Sequence, residues 1–114
     1  MKRDPKVYLE DAIKACRNIQ QFTDELSKDG FISDLKTQSA VERQFEILGE
    51  ALNRIKIIDR KILDNIDDWK EIIGFRNIIA HGYDVVENEL VWETIVNDIP
   101  VLIRQLEYVF ENID

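Results

Sequence analysis

The strongest constraint on this chain is the spacing of its apolar residues. Tyr8, Ala12, Ala15, Ile19, Phe22 and Leu26 recur at alternating steps of four and three, and Val41, Phe45, Leu48, Leu52 and Ile55 do the same. Such steps line side chains along one face of a helix, and that face is stable only when buried against another element. Val91, Ile95, Ile99, Leu102, Leu106, Val109 and Ile113 form a further stripe. No Val- or Thr-rich alternating run competes for a strand, and no Ser- or Pro-rich linker divides the 114 residues. The pattern predicts an all-α, up-and-down bundle of four principal helices, with residues 1–114 forming one domain.

Local signals set the boundaries. Asp4-Pro5 supplies a capping side chain and then a proline where its missing N–H is harmless. Lys28-Asp29-Gly30 is read as the end of the first helix, and the second begins between Ser33 and Thr37. A short loop between two long helices makes them antiparallel. One extra short helix fits near 59–64. Asp68 and Glu71 have the spacing of a capping pair for a third helix that starts near Trp69 and stops at Gly82. The last helix starts after Asn88, with a kink expected at Pro100.

Composition limits the chemistry. Cys16 is the only cysteine and His81 the only histidine, so a disulfide framework is impossible and a metal site built from this chain is not expected. Cys16, set among Ala12, Ala15 and Ile19, reads as a core residue rather than a reactive thiol. No apolar run approaches the roughly 18 residues of a membrane span, and a cytoplasmic location is expected. The net charge is −8. Residues 77–114 carry Arg104 as their one basic side chain against eight acids, so any contact with RNA must be local.

Chemistry concentrates in Arg76-Asn-Ile-Ile-Ala-His81-Gly-Tyr83. A guanidinium neutralises phosphate permanently and an imidazole moves protons near neutral pH, a pair suited to phosphodiester cleavage. The bland alternative is an arginine paired with a surface carboxylate and a histidine at a helix end. Five positions rotate a helical side chain by about 140°, so Arg76 and His81 do not share a face of a regular helix. They converge if the helix unwinds near Gly82, or if two copies meet at a dimer interface. Cleavage by the ribose 2′-hydroxyl needs a base and an acid, and one chain has one histidine. A two-fold dimer would bring two copies of His81 and two of Arg76 into one cleft.

The run Gly74-Phe75-Arg76-Asn77-Ile78-Ile79-Ala80-His81-Gly82-Tyr83 resembles the signature of the HepT-type branch of HEPN proteins. Ile47-Leu48-Gly49-Glu50-Ala51, Trp69, Val91-Trp92-Glu93-Thr94-Ile95 and Asp98-Ile99-Pro100 fit the same family in the expected order. The resemblance implies a metal-independent, dimeric endoribonuclease toxin, with Arg76 and His81 as the catalytic pair and Asn77 supporting them. Its own cleavage would use no cofactor. It further implies a cognate minimal nucleotidyltransferase antitoxin that adds AMP to Tyr83, using ATP and Mg²⁺, and so blocks RNA with bulk and negative charge. The alternative within the same family is a non-catalytic module that binds the nucleotidyltransferase.

Other residues invite simpler readings. Glu50 could approach the catalytic cleft, yet it lies four positions before Arg54 in the order that favours a surface ion pair. Glu42, Glu46 and Glu50 step by four, but no Glu-x-x-His accompanies them as a carboxylate metal site would require. Trp69 and Trp92 are expected to pack in the core or at a dimer interface, and Arg104 to lie on the surface.

Overall fold

The computed structural model describes residues 4–80 and 88–113, with residues 76–80 as backbone alone. Helix α1 spans Pro5–Thr23 and starts where Asp4 accepts the Lys6 N–H at 2.9 Å. It ends at Thr23, whose hydroxyl donates to the Ile19 carbonyl at 2.8 Å. Its buried face is Leu9, Ala12, Ala15, Cys16, Ile19 and Thr23. The face is therefore rotated slightly from the expected stripe: Tyr8 is half-buried and Phe22 is exposed. Burial pushes the Cys16 thiol up to about 12, so it behaves as a small apolar side chain.

The expected end of the first helix at 28–30 is instead a short second helix, α2, Lys28–Ile32. Ser27 initiates it by accepting the Gly30 N–H at 3.1 Å. A serine three positions before that N–H is an N-cap, which makes Lys28-Asp29-Gly30 a beginning. Helix α3 spans Leu35–Asp59, and Asp34 caps it through the Thr37 N–H at 3.1 Å. Gln38, buried on α3, donates to the carbonyls of Phe31 and Ile32 at 2.9 and 2.8 Å and so satisfies the end of α2. A 3₁₀ helix follows at Arg60–Asn65, where one extra short helix is expected, and α4 spans Trp69–Ala80.

The last stripe forms two helices, α5 at Asn88–Asn97 and α6 at Ile99–Asn112. The division falls at Asp98, two residues ahead of the proline at which a kink is expected. Pro100 has no N–H to give to a carbonyl four residues back, and in the first turn of a new helix it needs none. Val91, Ile95, Ile99, Leu102, Leu106 and Val109 are buried, as their spacing requires. The architecture is all-α, with no strand among the described residues and no described helix long and apolar enough to cross a membrane.

Helix α3 holds the bundle together. Its 25 residues extend about 37 Å, nearly the 43 Å length of the described molecule. Val41, Phe45, Leu48, Leu52 and Ile55 are completely buried along it. On one flank, Asn18 of α1 donates to Gln44 at 3.2 Å. On the other, Arg60 lies over Trp69 at 5.4 Å and Phe45 stacks on Phe75 at 4.9 Å. Arg60, just past the end of α3, thus meets early α4, and Phe45, in the first half of α3, meets later α4, so the two helices run antiparallel. Helix α6 returns to α1, where Arg17 pairs with Glu107 and Lys6 lies over Phe110 at 5.4 Å. Trp92 packs against Phe31 at 5.5 Å, so this tryptophan is a packing residue that joins α5 to α2.

Candidate functional site

Helix α4 carries the first five residues of the Arg76 to Tyr83 run, so what seats α4 also places the start of that run. Its first turn closes with the Ile72 N–H donating to the Asp68 carbonyl at 3.0 Å, consistent with a start near Trp69. Two cations lie over the Trp69 ring, Arg60 at 5.4 Å and Lys70 at 5.5 Å from its centroid. Ile72 is buried, and one turn later the Phe75 ring meets Phe45 with their planes 44° apart. Tilted aromatic pairs of this kind contribute about 0.5–1.5 kcal/mol beyond the area they bury. Phe75 immediately precedes Arg76, so the last side chain before the motif is pinned to the central helix.

The helix continues through Arg76 and Asn77 to Ala80. The side chains of Arg76 and Asn77 lie outside the described residues, as do His81, Gly82 and Tyr83. Convergence of Arg76 with His81, the shared dimer cleft and the role of Tyr83 therefore remain expectations from the sequence. A helix that is regular at Arg76 gives the phase argument a firm origin: five further residues of the same helix would carry His81 to a different face.

The flanks of α3 show what the neighbouring charges do. Glu50 accepts from Arg54 Nε at 2.9 Å, the surface pair anticipated from their spacing, and Glu46 pairs with Arg43 at 3.2 Å. Each carboxylate turns to an arginine on its own helix, which leaves the idea of a carboxylate ladder for a metal without support. These four side chains, with Tyr8 and Asp11 of α1, border a groove of about 590 Å³ between α1 and α3. Burial, and secondarily the negative charge of Glu46, holds the Glu42 carboxyl above its ordinary range. Asp34 is held below its ordinary range by the Thr37 hydroxyl and N–H that it accepts while capping α3.

Sequence reasoning did not reveal a second concavity, between α4 and α5, of about 530 Å³. Its walls come from segments some 25 residues apart, and periodicity within either segment carries no sign of it. Nor was the latch beside it visible: Gln105 of α6 accepts the Asp67 N–H at 3.1 Å and donates to the Asp67 carboxylate at 3.0 Å.

Comparison with known proteins places this site in a family context. The family model described as ribonuclease HepT-like matches residues 12–109. A protein of Thermococcus cleftensis named as a candidate ribonuclease HepT is 38% identical over 107 residues, covering 94% of this chain and 96% of that protein. A candidate RNase of Methanocaldococcus jannaschii is 33% identical over 108 residues, covering 95% and 98%. Another, from Caldanaerobacter subterraneus, is 30% identical over 109 residues, covering 96% of each. No solved structure matches the chain at a significant level.

The raised Glu42 carboxyl makes a prediction with a definite sign. Folding favours the protonated acid, so the folded state binds more protons and stability falls as pH rises from the ordinary carboxylate value through the raised one. Glu42→Gln removes that loss. The substituted protein should melt higher than the parent at pH 7, and the difference should disappear at pH 3, as thermal unfolding followed by circular dichroism would show.

Proposed function

The chain belongs to the ribonuclease HepT-like family, and we propose that it is a metal-independent endoribonuclease acting as a two-fold dimer with one shared cleft. The observation that carries this reading is the Arg76, His81 and Tyr83 run, the only one of its kind in the chain, inside the matched residues 12–109. The family's relatives named as candidate RNases support the substrate class.

In the proposed reaction, one His81 takes the proton of the ribose 2′-hydroxyl. The freed oxygen attacks the adjacent phosphorus, the bond to the 5′-oxygen breaks, and His81 of the second copy gives that oxygen a proton. The products are a 2′,3′-cyclic phosphate and a 5′-hydroxyl. Two Arg76 guanidinium groups stabilise the extra charge on the phosphorane-like transition state, and Asn77 orients the cleft. The acids and bases come from the protein, so the cycle needs no metal to activate a water.

Tyr83 is proposed as the point of control. A minimal nucleotidyltransferase partner would transfer AMP from ATP to the phenol oxygen, releasing pyrophosphate. The added phosphate and nucleoside would repel and crowd RNA at the cleft mouth. This chain's part is to present the tyrosine; ATP and Mg²⁺ belong to the partner's chemistry.

Purified protein incubated with RNA and tRNA in EDTA should leave fragments ending in 2′,3′-cyclic phosphate, and His81→Ala and Arg76→Ala should leave the RNA intact. Intact RNA at high concentrations of the unmodified parent would favour the non-catalytic, nucleotidyltransferase-binding module instead. Co-expression with a cognate minimal nucleotidyltransferase should add one or more AMP units by intact mass, and Tyr83→Phe should abolish the gain. A gain that persists in Tyr83→Phe would place the modification elsewhere.

A further inference from the structure

The concavity between α4 and α5 has apolar walls and an acidic rim. Ile72, Phe75 and Leu90 form the apolar part, and Asp68, Glu71 and Asp98 stand around it. Leu90 is 54% exposed although it lies on the wall of a cleft. The acids differ from most carboxylates that flank α3. No hydrogen bond or ion pair joins the side chains of Asp68, Glu71 or Asp98 to another described residue, whereas Glu46, Glu50 and Glu107 each hold an arginine. Asp98 precedes α6 without capping it through its side chain. The Gln105 latch on Asp67 fixes the loop that presents Asp68, so the rim is held in place before anything binds.

Gly74 adds an independent sign of an occupant. It lies within α4, where glycine costs about 1 kcal/mol relative to alanine. A Cβ built there would meet no atom within 4 Å. The chain's own packing therefore does not require a glycine, yet the position borders the cleft. A bare stretch of helix backbone suits close approach by a group from outside the chain.

We propose that this cleft is a docking site for a partner protein, which inserts a lysine or arginine side chain flanked by apolar residues. The aliphatic stem lies along Ile72, Phe75 and Leu90, and the cationic head reaches the carboxylates of the rim. Burial, and then the charge of Asp68, holds the Asp98 carboxyl above its ordinary range, a repulsion that an inserted cation relieves. RNA is a poor occupant, because its phosphates would meet three acids. The proposal does not depend on ribonuclease activity, and its test does not read cleavage.

The probe is n-butylguanidinium, an arginine side chain together with its Cα carbon, titrated into the full chain with labelled isoleucine and leucine methyl groups. Saturable NMR shifts are expected at Ile72 and Leu90, with n-butylurea, its neutral counterpart, binding about fivefold more weakly, as loss of two partly exposed charge contacts implies. Asp68→Asn with Asp98→Asn should weaken the cation to a similar degree. Gly74→Leu, which fills open space, should abolish the shifts, and Leu90→Lys provides a second block at an exposed position. Spectra elsewhere in each variant establish that it is folded. Absence of saturable shifts, equal binding of the urea, or indifference to the aspartate changes would overturn the proposal. So would the same methyl shifts on adding a single-stranded RNA octamer, or on raising the protein concentration alone, which would assign the cleft to nucleic acid or to a second copy.

Discussion

The contact between Phe45 and Phe75 is the point on which the rest depends. Helix α3 is buried along one side for nearly the length of the molecule, and α1, the 3₁₀ helix and α4 take their positions from it. Phe75 is where that order reaches the chemistry-bearing segment, because Arg76 follows it in the same helix. A single loose ring here would leave the motif on a helix free to rock, and a misplacement of about 1 Å is enough to cost a catalyst on the order of a hundredfold. The pair thus links core packing to the placement of Arg76, the first residue of the proposed site.

Much of the fold was legible because burial and helical period are the same signal here. Every residue of the α3 stripe from Val41 to Ile55 is buried, and the last stripe is buried from Val91 to Val109. Where the reading went astray, a local hydrogen bond decided the outcome. Ser27 turned an expected helix end into the start of α2, and Thr23, which bonds back to Ile19, closed α1 before Leu26, while Phe22 lies within α1 but off its buried face. The division at Asp98 follows from the absent N–H of Pro100, a cue that is visible in sequence but does not by itself distinguish a kink from two helices.

The candidate site divides along a similar line. Residue types suggest phosphodiester chemistry without any coordinates, because a guanidinium neutralises phosphate and an imidazole moves protons near neutral pH. Their mutual geometry is not written in the sequence, since five helical positions separate the guanidinium from the imidazole in direction. The α4–α5 cleft was not legible at all. Asp68 and Asp98 are thirty positions apart, and only the folded chain makes them neighbours. As proposed, the two features take different partners by charge: a local cation at Arg76 for an anionic substrate, and an acidic rim for a cationic side chain.

The central claim is that two copies of His81 serve one cleft. Wild-type chains and His81→Ala chains, unfolded together and refolded so that dimers assort at random, test it through the rate of RNA cleavage at each mixing ratio. If both imidazoles are needed, activity follows the square of the wild-type fraction, and an equal mixture retains about a quarter of the full rate. A linear fall, with about half the rate at equal mixing, would mean that each chain carries a complete site and would contradict the account.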